Sequence, residues 1–271
     1  MSPVDVAQRE LLAVAAQVAG EAAELARTFR ETAIRDVDTK SSETDPVTAG
    51  DRATERLVRS RLAELRPGEP VLGEEEGGGS AGRGGVCWVV DPIDGTVNYL
   101  YGYPWYAVSL AAQVDGVSVA GVVVEPASGR RWTAARGAGA ALDGVPLRVS
   151  GTTRLDVALV ATGFAYLPER RRRQAAGVAE LMGRIRDIRR GGSAALDLCA
   201  VAAGWLDGYF EHGLSRWDWA AGALIAEEAG ALVRLPGAPA DGLGADLLMA
   251  ATPGIADPLR TALHQAGLAA I

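Results

Sequence analysis

One stretch constrains this chain more than any other: Trp88-Val89-Val90-Asp91-Pro92-Ile93-Asp94-Gly95-Thr96-Val97-Asn98-Tyr99. The apolar run from Cys87 to Val90 reads as a buried strand. Pro92 cannot donate to a sheet ladder, so the strand is expected to stop there. Two carboxylates three residues apart at a strand exit converge, and they repel unless a cation lies between them. Hard oxygen ligands of this kind suit Mg²⁺ better than zinc. Gly95 and Thr96 then open a short helix, Thr96 to about Leu100, whose first N–H groups suit an anion that a glycine lets approach. A loop with one N-capping aspartate would explain one carboxylate, not two followed by Gly-Thr.

The surrounding pattern places this corner between two kinds of structure. Residues 5–29 carry Val6, Leu11, Leu12, Val14, Val18, Ala22 and Leu25 at helical spacing. Residues 31–49 read as a polar loop, Asp51–Leu65 as a second helix stopped by Pro67-Gly68, and Val71-Leu72 as a short strand. Gly77–Gly85 holds six glycines in nine residues and reads as a mobile surface loop. Strand-like runs at 106–113, 118–124 and 131–135, separated by Asp115-Gly116 and Ser128-Gly129, make 86–150 an antiparallel sheet. After residue 150 the pattern alternates. Strands are expected at 157–162, 187–189, 208–211, at Val233 and at 247–250. Helices are expected at 168–183, 193–204, 218–229 and 255–267. That alternation implies an α/β lobe. With no linker between them, lobes of about 1–150 and 151–271 form one domain.

Composition excludes several classes. Hydrophobic residues are 48% and charged ones 23%, ordinary for a globular chain. A formal net charge of −7 argues against nucleic acid or anionic membrane as a partner. No 18-residue uncharged apolar run or secretory signal is evident, and the two cysteines, Cys87 and Cys199, sit in apolar segments. These features suggest buried thiols and a cytoplasmic setting. Of 27 basic residues only Lys40 is a lysine. The run Arg170–Arg173 reads as a solvated helix face.

Other acids stand at expected element ends. Taken alone, Glu74-Glu75-Glu76 is a solvated acidic turn, and Asp51 and Asp218 are helix N-caps. Yet Asp91, Asp94, Glu74 and Asp218 at element termini can meet in one cleft, where cations would relieve their repulsion.

The segment around Asp91 resembles the Asp-Pro-Ile-Asp-Gly-Thr signature of the inositol monophosphatase family. Gly73-Glu74-Glu75, Trp217-Asp218-Trp219-Ala220-Ala221-Gly222, and Lys40 with Val47-Thr48-Ala49-Gly50-Asp51 resemble that family's other elements, in its order. Residues 192–231 look similar to the bacterial inositol-1-monophosphatase branch. The resemblance implies a layered αβαβα sandwich, a homodimer, lithium sensitivity and two or three Mg²⁺ ions per site. It implies that Glu74, Asp91 and the Ile93 carbonyl bind one ion, and Asp91, Asp94 and Asp218 a second. Thr96, hydrogen-bonded to Asp51, would orient with Glu74 the water that attacks phosphorus in line. Asp94, Gly95, Thr96, Gly192, Ser193, Ala194, Glu211 and Asp218 would contact a small phosphorylated polyol, and Arg189 matches a family arginine near that turn. Inositol-1-phosphate is the expected substrate. Histidinol phosphate, whose ammonium would suit Glu211, fructose 1,6-bisphosphate and a 3′-phosphoadenosine phosphate are alternatives. An accessory role in transcription or rRNA processing is the alternative of another class. His212 and His264 are expected to be structural.

Overall fold

The computed structural model describes residues 3–32, 37–39, 46–238, 242–269 and 271; Lys40 lies outside them. The chain begins with α1 (Pro3–Thr32), β1 (Val37–Thr39), β2 (Pro46–Thr48), α2 (Ala49–Leu65), β3 (Val71–Gly73), β4 (Val86–Asp94) and α3 (Thr96–Tyr101). A meander follows: β5 (Ala107–Val114), β6 (Val117–Val124), β7 (Arg131–Ala135), β8 (Gly139–Leu142) and β9 (Val145–Pro146). The rest comprises β10 (Leu159–Thr162), α4 (Pro168–Met182), β11 (Asp187–Arg189), α5 (Ala194–Ala202), β12 (Gly208–His212), α6 (Arg216–Glu228), β13 (Leu232–Arg234), β14 (Leu247–Ala251) and α7 (Ala256–Gln265).

Two sheets stack between helices. A seven-stranded sheet runs β3-β4-β5-β6-β7-β8-β9, and a five-stranded sheet runs β11-β10-β12-β14-β13. Four apolar clusters fill the four gaps between layers. Val18, Val58 and Leu62 of α1 and α2 meet Trp88, Val90 and Leu110. On the other face of that sheet, Val89, Ala111 and Val123 meet Leu196, Leu224 and Ile225 of α5 and α6. The far sides of the same helices, Leu198, Val201 and Ala223, meet Tyr209 and Leu248. Phe210 and Met249 then face Leu181, Leu259 and Leu263 of α4 and α7. This is the expected αβαβα order. Alternate residues of β4 point to opposite covered faces, which is why the strand reads as an unbroken apolar run.

Several boundaries differ from the sequence expectation, each for a local reason. β4 does not stop at Pro92: it continues to Asp94 through a register shift between Asp91 and Asp94. A bulge tolerates a proline because its residue is not asked to complete the ladder. Asp51 is not the cap of α2. Thr48 is, and Asp51 is the third helical residue, accepting the Thr48 N–H at 2.8 Å. Asp218 likewise sits inside α6, which begins at Arg216 with Ser215 as its cap. The supposed loop 31–49 contains the paired strands β1 and β2, and the Gly-rich end of the meander carries the additional strands β8 and β9. In the second sheet β10 pairs in parallel with β11 and β12, but β14 runs antiparallel to β12 and β13.

Candidate active site

The parallel register of β3 on β4 sets Gly73 opposite Val90. The next residues, Glu74 just past β3 and Asp91 still within β4, therefore stand side by side. A helix supports the end of β3 from behind. The buried Glu55 carboxylate of α2 accepts the N–H groups of Glu75 at 2.7 Å and Glu76 at 3.0 Å, and Arg59 donates to it at 2.8 Å. A Cβ on residue 73 would lie 2.2 Å from Glu55 Oε1, so only glycine lets α2 reach the turn. Glu55 was not singled out from the sequence; a buried glutamate in an amphipathic helix carries no local signal of what it supports.

The bulge turns Asp91 and Asp94 in different directions. Asp91 Oδ1 accepts the Ile93 N–H at 3.0 Å. Asp94 crosses to the start of α5, where Oδ2 accepts the Ser193 hydroxyl at 2.5 Å and the Ala195 N–H at 2.7 Å, and Oδ1 the Ala194 N–H at 3.3 Å. Gly95, at φ 94°, then starts α3, a conformation that favours glycine. The Thr96 hydroxyl lies 3.2 Å from Asp51 Oδ1 and 3.1 Å from the Ile93 carbonyl. Asp218 accepts the Ser215 N–H at 2.6 Å.

These groups border a cavity of about 430 Å³. Glu74, Asp91, Ile93, Asp94, Gly95, Thr96, Gly192, Ala194, Glu211 and Asp218 all line it. Two of the singled-out residues stand behind its wall: Asp51, which holds Thr96, and Ser193, which holds Asp94. Of the glutamates after Gly73 only Glu74 faces the cavity; Glu76 pairs with Arg59 at 3.4 Å. Arg189 does not line it and bonds Asp187 and the Ile188 carbonyl, both at 2.8 Å. Its neighbour Arg190 does line it. The position of an arginine one residue along an irregular turn is not readable from composition. His212 also borders the cavity but is buried, its Nε2 2.7 Å from the Leu268 carbonyl.

The acid wall is electrostatically unbalanced. Burial, then the neighbouring Glu74, Asp94 and Asp218, push the Asp91 carboxyl well above the ordinary range. Burial, then Asp94 and Glu74, do the same to Asp218. Burial pushes Asp94 up to about 7 against the opposing hydrogen bonds from Ser193 and Ala195. Opposite them, Glu211 is raised by burial and held down by the Tyr209 hydroxyl, 2.7 Å away, and by Arg190. Among the described residues no three His, Cys, Asp or Glu side chains close around one point as they stand. Asp91, Asp94 and Asp218 each have an oxygen turned to a protein donor instead. The donor set nevertheless fits a hard cation: it is all oxygen, mutually repelling, and buried at Asp91 and Asp94, and a cation would lower each raised pKa.

The comparisons agree with this geometry. The family model described as "Inositol monophosphatase family" matches residues 7–269. The chain is 57% identical over 238 residues to an inositol-1-monophosphatase of Mycobacterium leprae, covering 84% of this chain and 81% of that one. It is 41% identical over 233 residues to a Nus factor SuhB of Pseudomonas aeruginosa, covering 82% and 84%. The solved structure of Mycobacterium tuberculosis SuhB superposes with a TM-score of 0.81 at 46% identity, covering 95% of this chain and 97% of that one. The class is thus that of the layered α/β phosphomonoesterases. Within it, the chain belongs to the inositol monophosphatase family, whose members are generally metal-dependent. Among the described residues no helix is long and apolar enough to cross a membrane.

Proposed function

We propose that the protein is a Mg²⁺-dependent phosphomonoesterase acting on inositol-1-phosphate, releasing inositol and phosphate by in-line attack of water. The observation that carries this reading is that the buried Asp91 shares one cavity with Glu74, Asp94 and Asp218, which repel it. Glu74, Asp91 and the Ile93 carbonyl would hold one ion, and Asp91, Asp94 and Asp218 a second. A third, weaker site would adjoin Glu74. Bound there, the ions would supply Lewis acidity that makes water nucleophilic at neutral pH and neutralises phosphate charge.

The chain's own groups supply the rest. Asp51 fixes the Thr96 hydroxyl, which with Glu74 orients the attacking water. Gly95 and Thr96 admit the phosphate at the start of α3. Gly192 and Ala194 adjoin Gly95 and Asp94, and Glu211 lines the same cavity, where a ring of hydroxyls can donate to its carboxylate. Asp218 stands beside the leaving oxygen and relays a proton to it through water. The protein acts as a homodimer in this reading and is sensitive to Li⁺. The test is phosphate release from inositol-1-phosphate, histidinol phosphate and fructose 1,6-bisphosphate, with Mg²⁺, with EDTA, and after Mg²⁺ is restored. The expected result is Mg²⁺-dependent release that is fastest with inositol-1-phosphate. Full activity in a verified metal-free sample would overturn the mechanism, and preference for another ester would overturn the substrate.

A second reading, an accessory role in transcription, draws on the Nus factor relative and on the exposed side chains of Arg171, Arg172 and Arg173 in α4. Arg170 is not part of that face; it turns inward to Asp246. Salt-sensitive binding of an RNA by the full chain, lost when the three arginines become serine, would support it.

A further inference from the structure

Asn98, the last polar residue of the opening motif, has no part in the chemistry above. It lies on α3, two residues after Thr96, and its Nδ2 donates to the Trp105 carbonyl at 2.7 Å and the Gly191 carbonyl at 2.9 Å. Both partners are acceptors only, so the amide must present its NH₂ side to them. Three separate segments meet there. The Trp105 indole N–H donates in turn to Asp197 Oδ1 of α5 at 3.3 Å. Asp197 is a buried carboxyl that the phosphatase reading does not use.

The close approach depends on the two glycines. A Cβ on Gly191 would lie 2.3 Å from Asp197 Oδ1 and 2.6 Å from Trp105 Nε1. One on Gly192, at φ +91°, would lie 3.0 Å from Asn98 Nδ2 and 2.4 Å from Arg190 Nη1. The turn so gripped carries Arg190 on one side. On the other it carries the Ser193 hydroxyl and the Ala194 and Ala195 N–H groups, which together hold Asp94. Asp94 itself begins the corner from which α3 and Asn98 emerge. The loop of contacts therefore closes: Asp94 grips the turn through residues 193–195, and Asn98 grips it through residue 191.

We propose that Asn98 is a positioning residue. Resting on the reading of this cavity as a cation-dependent phosphatase site, it fixes the 190–195 turn against the acidic corner, and so sets where Asp94 and Arg190 stand. Without it, Asp94 would be tied to a turn with one end loose, and both walls would lose their register. Substituting groups that orient ligands in this way changes affinity or activity by roughly 10–100-fold.

The experiment uses the full chain and two substitutions, Asn98→Ala and Asn98→Asp. Cation binding is read by Tb³⁺ luminescence, sensitised by the cavity-lining Trp217, with Mg²⁺ as competitor. Phosphate release and melting temperature are read on the same samples. Asn98→Ala should weaken Tb³⁺ and Mg²⁺ binding by roughly 10-fold and reduce kcat similarly at saturating Mg²⁺, while melting within about 4 °C of the wild type. Asn98→Asp keeps the volume but turns a carboxylate toward two carbonyls, so it should be the worse of the two in cation affinity and in kcat. A packing role predicts the opposite order, with Asn98→Asp near wild type, and that order would overturn the proposal. So would cation binding within about 2-fold of wild type in both variants. A wild type that binds Tb³⁺ yet releases no phosphate would sink the phosphatase reading alone, since the binding arm still decides Asn98. A wild type that does neither would overturn both.

Discussion

The two walls of the cavity are built by different means. The acid wall is mostly local: Glu74 follows β3, Asp91 lies beside it on the parallel β4, Asp94 follows one bulge later and Thr96 starts the next helix, with Asp218 alone arriving from the distant α6. Asp91, Asp94 and Thr96 are buried and Glu74 half-buried, and α2 and α5 tie the edges with hydrogen bonds. The opposite wall is assembled from distant pieces. The loop 163–167 precedes α4, Arg190 comes from the turn after β11, and Glu211 from β12. Tyr166 and Leu167 there are exposed. The difference teaches where rigidity is placed. Groups that must repel each other are held by backbone geometry, whereas groups that would recognise the organic part of a substrate stand on loops and an inner strand.

The largest expected effect separates the walls cleanly. Asp91→Asn removes the proposed shared ligand and should lower kcat by about 10³-fold or more, from the several kcal/mol that cation-held charge would supply. Stability should move the other way. Asp91 is repelled by Glu74, Asp94 and Asp218, so in EDTA the variant should melt roughly 2–4 °C above wild type. A variant that is both less active and less stable without metal would show that Asp91 is structural. Next in size is Thr96→Ala, which should reduce kcat by about 10²-fold with a much smaller change in KM. A raised KM at constant kcat would instead make Thr96 a binding residue and move it, functionally, to the other wall.

That division also explains what could be read from the sequence. The centre of the acid wall, Asp91 to Thr96, is one short motif in which neighbours in sequence are neighbours in space, so the strand, the two carboxylates and Gly-Thr were legible together. The element types were legible because apolar patterning repeats over whole elements such as α1 and β5, whereas the layer order followed from the family resemblance. The exceptions arise where a local competitor or a distant contact decides the backbone. Pro92 passes inside β4 because a bulge absorbs it. Asp51 and Asp218 are third residues of their helices, because Thr48 and Ser215 compete as caps. Arg190, and not Arg189, lines the cavity in a turn held by the Asn98 amide, which donates to the Gly191 carbonyl from 93 residues away in sequence. Nothing in the neighbourhood of residue 190 encodes that.

Glu211 sharpens the comparison from the recognition side. Glu211→Gln should raise KM for inositol-1-phosphate by roughly 10-fold, about one charge-assisted hydrogen bond, with kcat and the Mg²⁺ requirement unchanged. Glycerol-2-phosphate, too small to reach it, should be hydrolysed as before. Equal losses on both substrates would place Glu211 with the fold or the acid wall.

The smallest effect is expected from Tyr209→Phe, and it is read in pH. Burial raises the Glu211 carboxyl, and the Tyr209 hydroxyl opposes that rise by donating to the charged form. Removing the hydroxyl takes away a bond that only the carboxylate profits from, so the Glu211 pKa should climb further. The ionised group then persists over a narrower range. The acid limb of kcat/KM for inositol-1-phosphate should shift to higher pH, while the profile for glycerol-2-phosphate stays in place. On the alkaline plateau shared by the two profiles, KM should differ by roughly 3-fold or less. A shift of both profiles together would mean the titrating group belongs to the acid wall. A shift to lower pH would mean the hydroxyl favours the protonated form of Glu211, contrary to the geometry of its donated bond.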